Sequence, residues 1–328
     1  MSGKINIPNR VFVREEHIPQ APPPLSTAGV IGWLRQNLFS SPLNAVLTVL
    51  SFYLLYTVLP PLIDWVFLTS VWTGDSNQDC KGIEGACWAI IPNRFGQFIY
   101  GFYPEAERWR VNLTFVLFCL NLLPVLSDRI PGRAYAAVFI VVIFPIIAYV
   151  LMYGAFGLPI VPTHQWGGLT LTLVLASVAI LFSLPLGILL ALGRRSEMPI
   201  IRTICIAFIE LWRAVPLITV LFMASFMLPL FAPEGVNFNE LMRALIGFTM
   251  FSSAYMAEVV RGGLQALPKG QNEAAQALGL NYWQSMLLII LPQALKIVIP
   301  GIVNTFIGLF KDTALVSIIG LFDLLLVA

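Results

Sequence analysis

Residues 134–193 read AYAAVFIVVIFPIIAYVLMYGAFGLPIVPTHQWGGLTLTLVLASVAILFSLPLGILLALG, 60 positions without one Asp, Glu, Lys or Arg. A helix crossing a hydrocarbon core of about 30 Å needs roughly 20 apolar residues. The stretch is too long for one crossing and fits two. The break falls at residues 154–162, where Gly154, Gly157, Pro159 and Pro162 interrupt the pattern. Spans are therefore expected over 134–154 and 168–192.

Working outward, Asn44 to Ile63 is an uncharged run closed by Asp64, and Val111 to Ser127 is a shorter one between Arg110 and Asp128. Further spans are expected over 204–230, 241–259 and 285–309, with an eighth starting at Thr313. The chain stops at Val327-Ala328 within that last apolar run, so it reads as a fragment or as lacking its C-terminal part. Composition agrees. Apolar residues make up 58% of the 328 and charged residues 11%, with a mean hydropathy of +0.83. A soluble surface needs about 25% charged residues, which excludes a soluble protein. The fold class is all-α, a polytopic membrane protein of about eight transmembrane helices.

Residues 1–35 are polar and contain Ala21-Pro22-Pro23-Pro24, with no apolar core of a signal peptide near Met1. They read as a cytoplasmic tail. Lys4, Arg10, Arg14 and Arg35 precede the first span, and Arg129 and Arg133 lie between the second and third. Arg194, Arg195 and Arg202 separate the fourth and fifth, and Arg261 and Lys269 the sixth and seventh. Loop 155–167 has no basic residue, and loop 231–240 carries Glu234 and Glu240. Basic loops stay in the cytoplasm, which puts the N-terminus there and the long loop 64–110 in the periplasm.

That loop holds Cys80 and Cys87 on the oxidising side of the membrane, as a disulfide or as two free thiols. Cys119 and Cys205 read as core-filling thiols. The histidines are His17 and His164, and no CxxC pair occurs, so no metal site is expected. His164 reads as an interfacial residue beside Trp166. The net charge of +2 gives no footprint for nucleic acid. There is no G-x-x-x-x-G-K-[ST] loop to hold ATP phosphates and no set of residues for covalent chemistry, so the chain is not expected to be an enzyme.

The loop after the sixth span reads Glu273-Ala274-Ala275-Gln276-Ala277-Leu278-Gly279, followed nine residues later by Ile289-Ile290-Leu291-Pro292. Helix formers dominate it, and Gly279 suits a helix C-terminus. The pattern E-A-A-x3-G-x9-I-x-L-P resembles the signature of the permease subunits of ABC importers. Glu210 to Leu217, Tyr255 to Gly263 and Phe310 to Leu315 resemble the polar amino-acid permeases of histidine, glutamine and general L-amino-acid uptake. The resemblance covers residues 160–328. The layout is similar to the larger permease of general L-amino-acid importers.

The resemblance implies a type I ABC importer permease core over 159–328, preceded by three extra helices within 36–158. It implies that Glu273, Ala274, Ala275, Gly279 and Leu280 form the coupling helix against a cytoplasmic ABC ATPase dimer. The ATPase activity would reside on that separate subunit, with ATP and Mg there and no cofactor on this chain. Further implied partners are a second, related permease subunit, a periplasmic amino-acid-binding protein and the lipid membrane.

Ionisable residues inside spans are costly and usually have a reason. Glu210 and Arg213 share a helix face, as do Glu258 and Arg261; Lys311 and Asp312 follow the seventh span. They are read either as contacts and gating pairs along a translocation path or as structural ion pairs. Lys296 reads as a snorkelling side chain. Among the prolines within spans, Pro216 and Pro292 lie in the family motifs and mark candidate hinges. The leading reading is a permease subunit of an ATP-driven amino-acid importer; the alternative is a carrier driven by an ion gradient.

Overall fold

The computed structural model describes residues 29–75, 78–127, 130, 132–231, 233 and 238–328. Most of the tail 1–35, with Lys4, Arg10, Arg14 and His17, lies outside the described residues, as do Asp128, Arg129 and Glu234. Packing divides the chain into two compact units that meet between Pro92 and Asn93.

In the first unit, α1 (Gly29–Asn37) precedes α2 (Pro42–Ile63). Ser41 caps α2 by accepting the Asn44 amide at 3.1 Å, and Pro42 occupies the first turn, where no donor is missed. The span does not stop at Asp64 as expected; a widened turn over Asp64–Leu68 carries it on to Leu68. Thr48 alone is buried on α2, and its hydroxyl donates to the Leu38 carbonyl at 2.8 Å. Such an apolar helix is exposed to lipid rather than water. The loop beyond folds back: the Val71 amide donates to Ala86 and the Trp88 indole to Val66, at 2.9 and 2.7 Å. Gly85 permits this, because a Cβ there would fall 2.2 Å from the Thr69 carbonyl oxygen.

The second unit holds α3 (Ile90–Tyr100, begun in the first), α4 (Arg108–Leu126), α5 (Tyr135–Tyr153) and α6 (Gly168–Arg194). Then come α7 (Pro199–Ala214), α8 (Leu217–Phe231), α9 (Glu240–Ala266) and α10 (Gly270–Ala277). Helix α11 (Leu291–Asp312) follows a first turn over Tyr282–Ser285 and a widened turn over Met286–Ile290, and α12 is Leu324–Val327. Helix α3 was not expected inside the long loop; its signal is the apolar spacing of Ile91, Phe95, Phe98 and Ile99.

Small residues let the long helices approach. A Cβ on Gly187 of α6 would sit 2.7 Å from the Met256 Cβ of α9, and one on Gly263 of α9 would sit 2.6 Å from the Ala294 carbonyl of α11. Two apolar clusters are stacked along the bundle. Leu171, Leu175, Leu217, Phe248 and Leu309 join at the amino end of α6 together with Tyr103 and Met152. Leu192, Ile209, Met256, Leu264 and Ile290 join at its carboxyl end.

Among the described residues, five helices are long and apolar enough to cross a membrane, or six when α7 and α8 count as one broken span. The protein is thus an all-α polytopic membrane protein. The expected single span over 204–230 is broken: α7 and α8 meet at 107°. Pro216 explains this. It has no amide to donate, and it holds Val215 extended at φ −105° and ψ 135°. The 27-residue α9 fits the expected sixth span in length, but Glu240, Arg243, Glu258 and Arg261 keep it out of the apolar set. The eighth helix does not begin at Thr313. A tight 3-10 turn over Thr313–Ile319 continues α11, and Gly320 ends it at φ 88°. Asp323 then caps α12 by accepting the Leu325 and Leu326 amides at 3.1 and 3.2 Å.

Candidate coupling helix and charged cluster

Helix α10 is a single short element between α9 and the turn leading to α11. Glu273 lies in its first turn, where a carboxylate suits the exposed amides. Ala275 is buried and holds the helix against the bundle, while Glu273, Ala274, Leu278 and Gly279 are exposed and Leu280 is half-buried. The C-terminus closes through the Leu278 amide to Ala274 at 3.1 Å and the Leu280 amide to Ala275 at 3.2 Å. Gly279 takes φ 73°, the left-handed conformation that such an ending requires. A side-chain bond from Gln293 to Gln271 at 3.1 Å ties α10 to α11, a link the sequence did not single out.

At the same end of the bundle the charged residues of three helices converge on Glu258. Its carboxylate, 16% exposed, accepts from Arg194 Nη1 at 2.7 Å and from Arg261 Nη2 and Nε at 2.7 and 2.9 Å. Arg213 Nη1 stands 3.8 Å away. Arg194 also reaches Glu210 at 3.0 Å, and Arg213 lies 5.5 Å from the centre of the Tyr255 ring. Glu258 and Arg261 thus pair within α9 as their spacing suggested. Glu210 and Arg213 share a face of α7 but reach different partners, Arg194 and Glu258.

Arg194 and Tyr255 were not among the expected site residues. Arg194 read only as a loop charge, because its partners lie 16 and 64 positions away. The signal for Tyr255 was its place three residues before Glu258. The cluster links α6, α7 and α9 through side chains alone, so no main-chain bond stands in the way of a change of partner. An anionic group entering it would meet more guanidinium than carboxylate.

Lys311 and Asp312 lie elsewhere. They end α11, 21 residues from Leu291 or about 32 Å of helix, beside Thr313 and the Leu309 cluster. Lys311 is exposed and Asp312 half-buried. Cys80 and Cys87 are joined by a disulfide with their Cα atoms 5.8 Å apart. Cys205 is half-buried at the α6–α7 contact, whereas Cys119 is exposed and fills no core. His164 is exposed on a single turn, and Lys296 is exposed on α11. Among the described residues no group of three His, Cys, Asp or Glu comes together as a metal site.

Residues 183–328 match the family described as binding-protein-dependent transport system inner membrane component. The chain is 55% identical over 307 residues to the inner membrane amino-acid ABC transporter permease protein YhdY of Escherichia coli K12, across 93% of this chain and 83% of that protein. It is 41% identical to the glutamate/glutamine/aspartate/asparagine transport system permease protein BztC of Rhodobacter capsulatus, covering 95% and 87%. A shorter match, 35% identical over 160 residues, is the probable glutamine ABC transporter permease protein GlnP of Bacillus subtilis, covering 49% and 72%. The chain belongs to the amino-acid permeases of binding-protein-dependent ABC import systems, multi-pass proteins of the inner membrane.

Proposed function

We propose that this permease forms half of a translocation path for amino acids and is driven through α10. The observation that carries the reading is α10 itself: a short helix seated by Ala275, presenting Glu273, Ala274 and Leu278 outward at the end where the charged cluster lies. In this reading Glu273, Ala274, Ala275, Gly279 and Leu280 meet a cytoplasmic ABC ATPase dimer, which holds ATP and Mg. The α10 end is then cytoplasmic, as is the N-terminus. The core spans 159–328, preceded by three extra helices in 36–158 and the tail 1–35. A second, related permease completes the pore, and a periplasmic amino-acid-binding protein delivers cargo.

Glu210, Arg213, Glu258 and Arg261 line or gate the path near its inner mouth, with Lys311 and Asp312 towards the outer one. ATP binding would draw the ATPases together, move α10 and the helices tied to it, and open the cavity outward; hydrolysis would reverse this. The cargo named for the 41%-identical relative, glutamate, glutamine, aspartate and asparagine, supports polar amino acids as substrates, and the three arginines around Glu258 suit the carboxylate that every amino acid carries.

The test is Glu273→Lys in the intact transporter, followed by tagging, co-purification and uptake. Loss of the ATPase from the purified complex, with the permease still monodisperse, is the expected result. Undiminished docking and uptake would sink the assignment of α10.

A further inference from the structure

Beside the charged cluster, between the last turn of α6, α7 and α9, lies a cavity of about 480 Å³ lined by Arg194, Arg195, Arg202, Arg261, Ile206 and Gln265. Four guanidinium groups share its wall with no carboxylate. Glu210 and Glu258 hold Arg194 and Arg261 from outside it, and Glu258 serves Arg213 as well. Arg195 donates to the Leu264 carbonyl at 3.4 Å. The Arg202 guanidinium has no hydrogen-bond or ion-pair partner among the described residues, although it offers five donors. Glu197 nearby is exposed and outside the wall. The carbonyl end of α6 offsets about half a charge, which leaves a clear cationic excess around one space.

A second observation says what kind of anion fits. On α7, Ile200, Ile204 and Leu211 form one stripe, exposed by 74, 63 and 61%. At 100° per residue they lie on the side of the helix opposite Arg202 and buried Ile209. A helix with arginines on one flank and an apolar stripe turned away from its own chain sits at headgroup depth, with the stripe among acyl chains and the charges at the phosphates.

We propose that this cavity binds the phosphate of an anionic phospholipid, held at the headgroup depth that the Ile200–Leu211 stripe sets by lying among the acyl chains of the surrounding bilayer on the far side of α7. Arg195 and Arg202 supply the free donors, and Arg194 and Arg261 are shared with Glu258. Inorganic phosphate offers the same chemistry, and the experiment separates the two sources.

The intact transporter is exchanged from phosphatidylcholine vesicles, with and without phosphatidylglycerol, and the lipids it retains are identified by native mass spectrometry. Wild type is expected to keep phosphatidylglycerol in preference to phosphatidylcholine. The preference falls roughly fivefold in Arg202→Gln and about 25-fold in Arg195→Gln with Arg202→Gln, while Arg202→Lys keeps most of it. Both residues are exposed and stand outside the contacts around Glu258, so folding is expected to survive; competition of wild type with inorganic phosphate needs no variant. Displacement by inorganic phosphate without any preference between the lipids would overturn the lipid and assign the cavity to a dissolved anion. Equal retention of both lipids, unmoved by phosphate or by the substitutions, overturns the phosphate site altogether.

Discussion

The two ends of the second unit hold their charges in opposite ways. At the amino end of α6, Arg110 is fully buried and donates to the Pro159 carbonyl at 2.8 Å beside Glu107, and the Tyr103 hydroxyl donates to Met152 at 2.7 Å. Burial pushes the Tyr103 phenol above its ordinary value, which keeps it a donor. The Gly168 amide meets Phe322, and the Leu324 amide meets Thr172. Apart from the Arg110–Glu107 pair, each of these contacts has a backbone atom on one side, which cannot turn away. At the carboxyl end the polar groups end on other side chains around Glu258. One end is stapled and the other can exchange partners, the difference expected between a fixed rim and a moving part.

The comparison breaks first at Arg110. Arg110→Met strands Glu107 and the Pro159 carbonyl in a buried site, which costs about 3–5 kcal/mol. The yield of monodisperse protein in detergent should collapse, and survival at wild-type level would remove the contrast. Glu258→Gln leaves Arg194, Arg213 and Arg261 without their shared anion. Its expected effect is on movement: roughly a hundredfold loss of uptake, about 2.7 kcal/mol, with the protein still folded.

Two glycines sharpen the comparison. A Cβ on Gly101 would lie 2.3 Å from the Gly167 Cα, whereas one on Gly279 meets nothing within 4 Å, and both hold positive φ. Gly279→Ala should cost about 1 kcal/mol from conformation alone, and Gly101→Ala about 1–3 kcal/mol more from overpacking, read as melting temperatures in one detergent. The smallest effect is expected for Glu210→Gln. That side chain is 56% exposed, so about 0.5 kcal/mol and less than a threefold change in uptake are expected.

What the sequence made legible follows the range of the forces involved. Helix α10 and its end at Gly279 depend on neighbouring residues, and both are readable in Asn272 to Gly279. The long spans depend on hydrophobic length, and those at 134–154 and 168–192 fall within a residue or two of α5 and α6. Pro216 marked a break, but its 107° angle depends on where α7 packs against α6. The Arg194–Glu258 contact joins residues 64 positions apart, and the rotation of two helices decides it. No local pattern carries that information.

The bend at Val215 has a further consequence in the currency of displacement. Beyond it, the amides of Thr219 and Val220 both turn back to the Pro216 carbonyl, at 3.0 and 3.2 Å, so α8 starts afresh instead of continuing the ladder of α7. Helix α7 is 16 residues long, a rod of about 24 Å. Turning it by about 10° about Val215 carries Pro199 and its neighbours through about 4 Å. The same turn, reached by changing a few dihedral angles, moves Arg202 by about 3.4 Å and Glu210, close to the pivot, by only about 1.3 Å. The far end of α7 thus swings while the contacts near Glu258 hold and both helices stay intact.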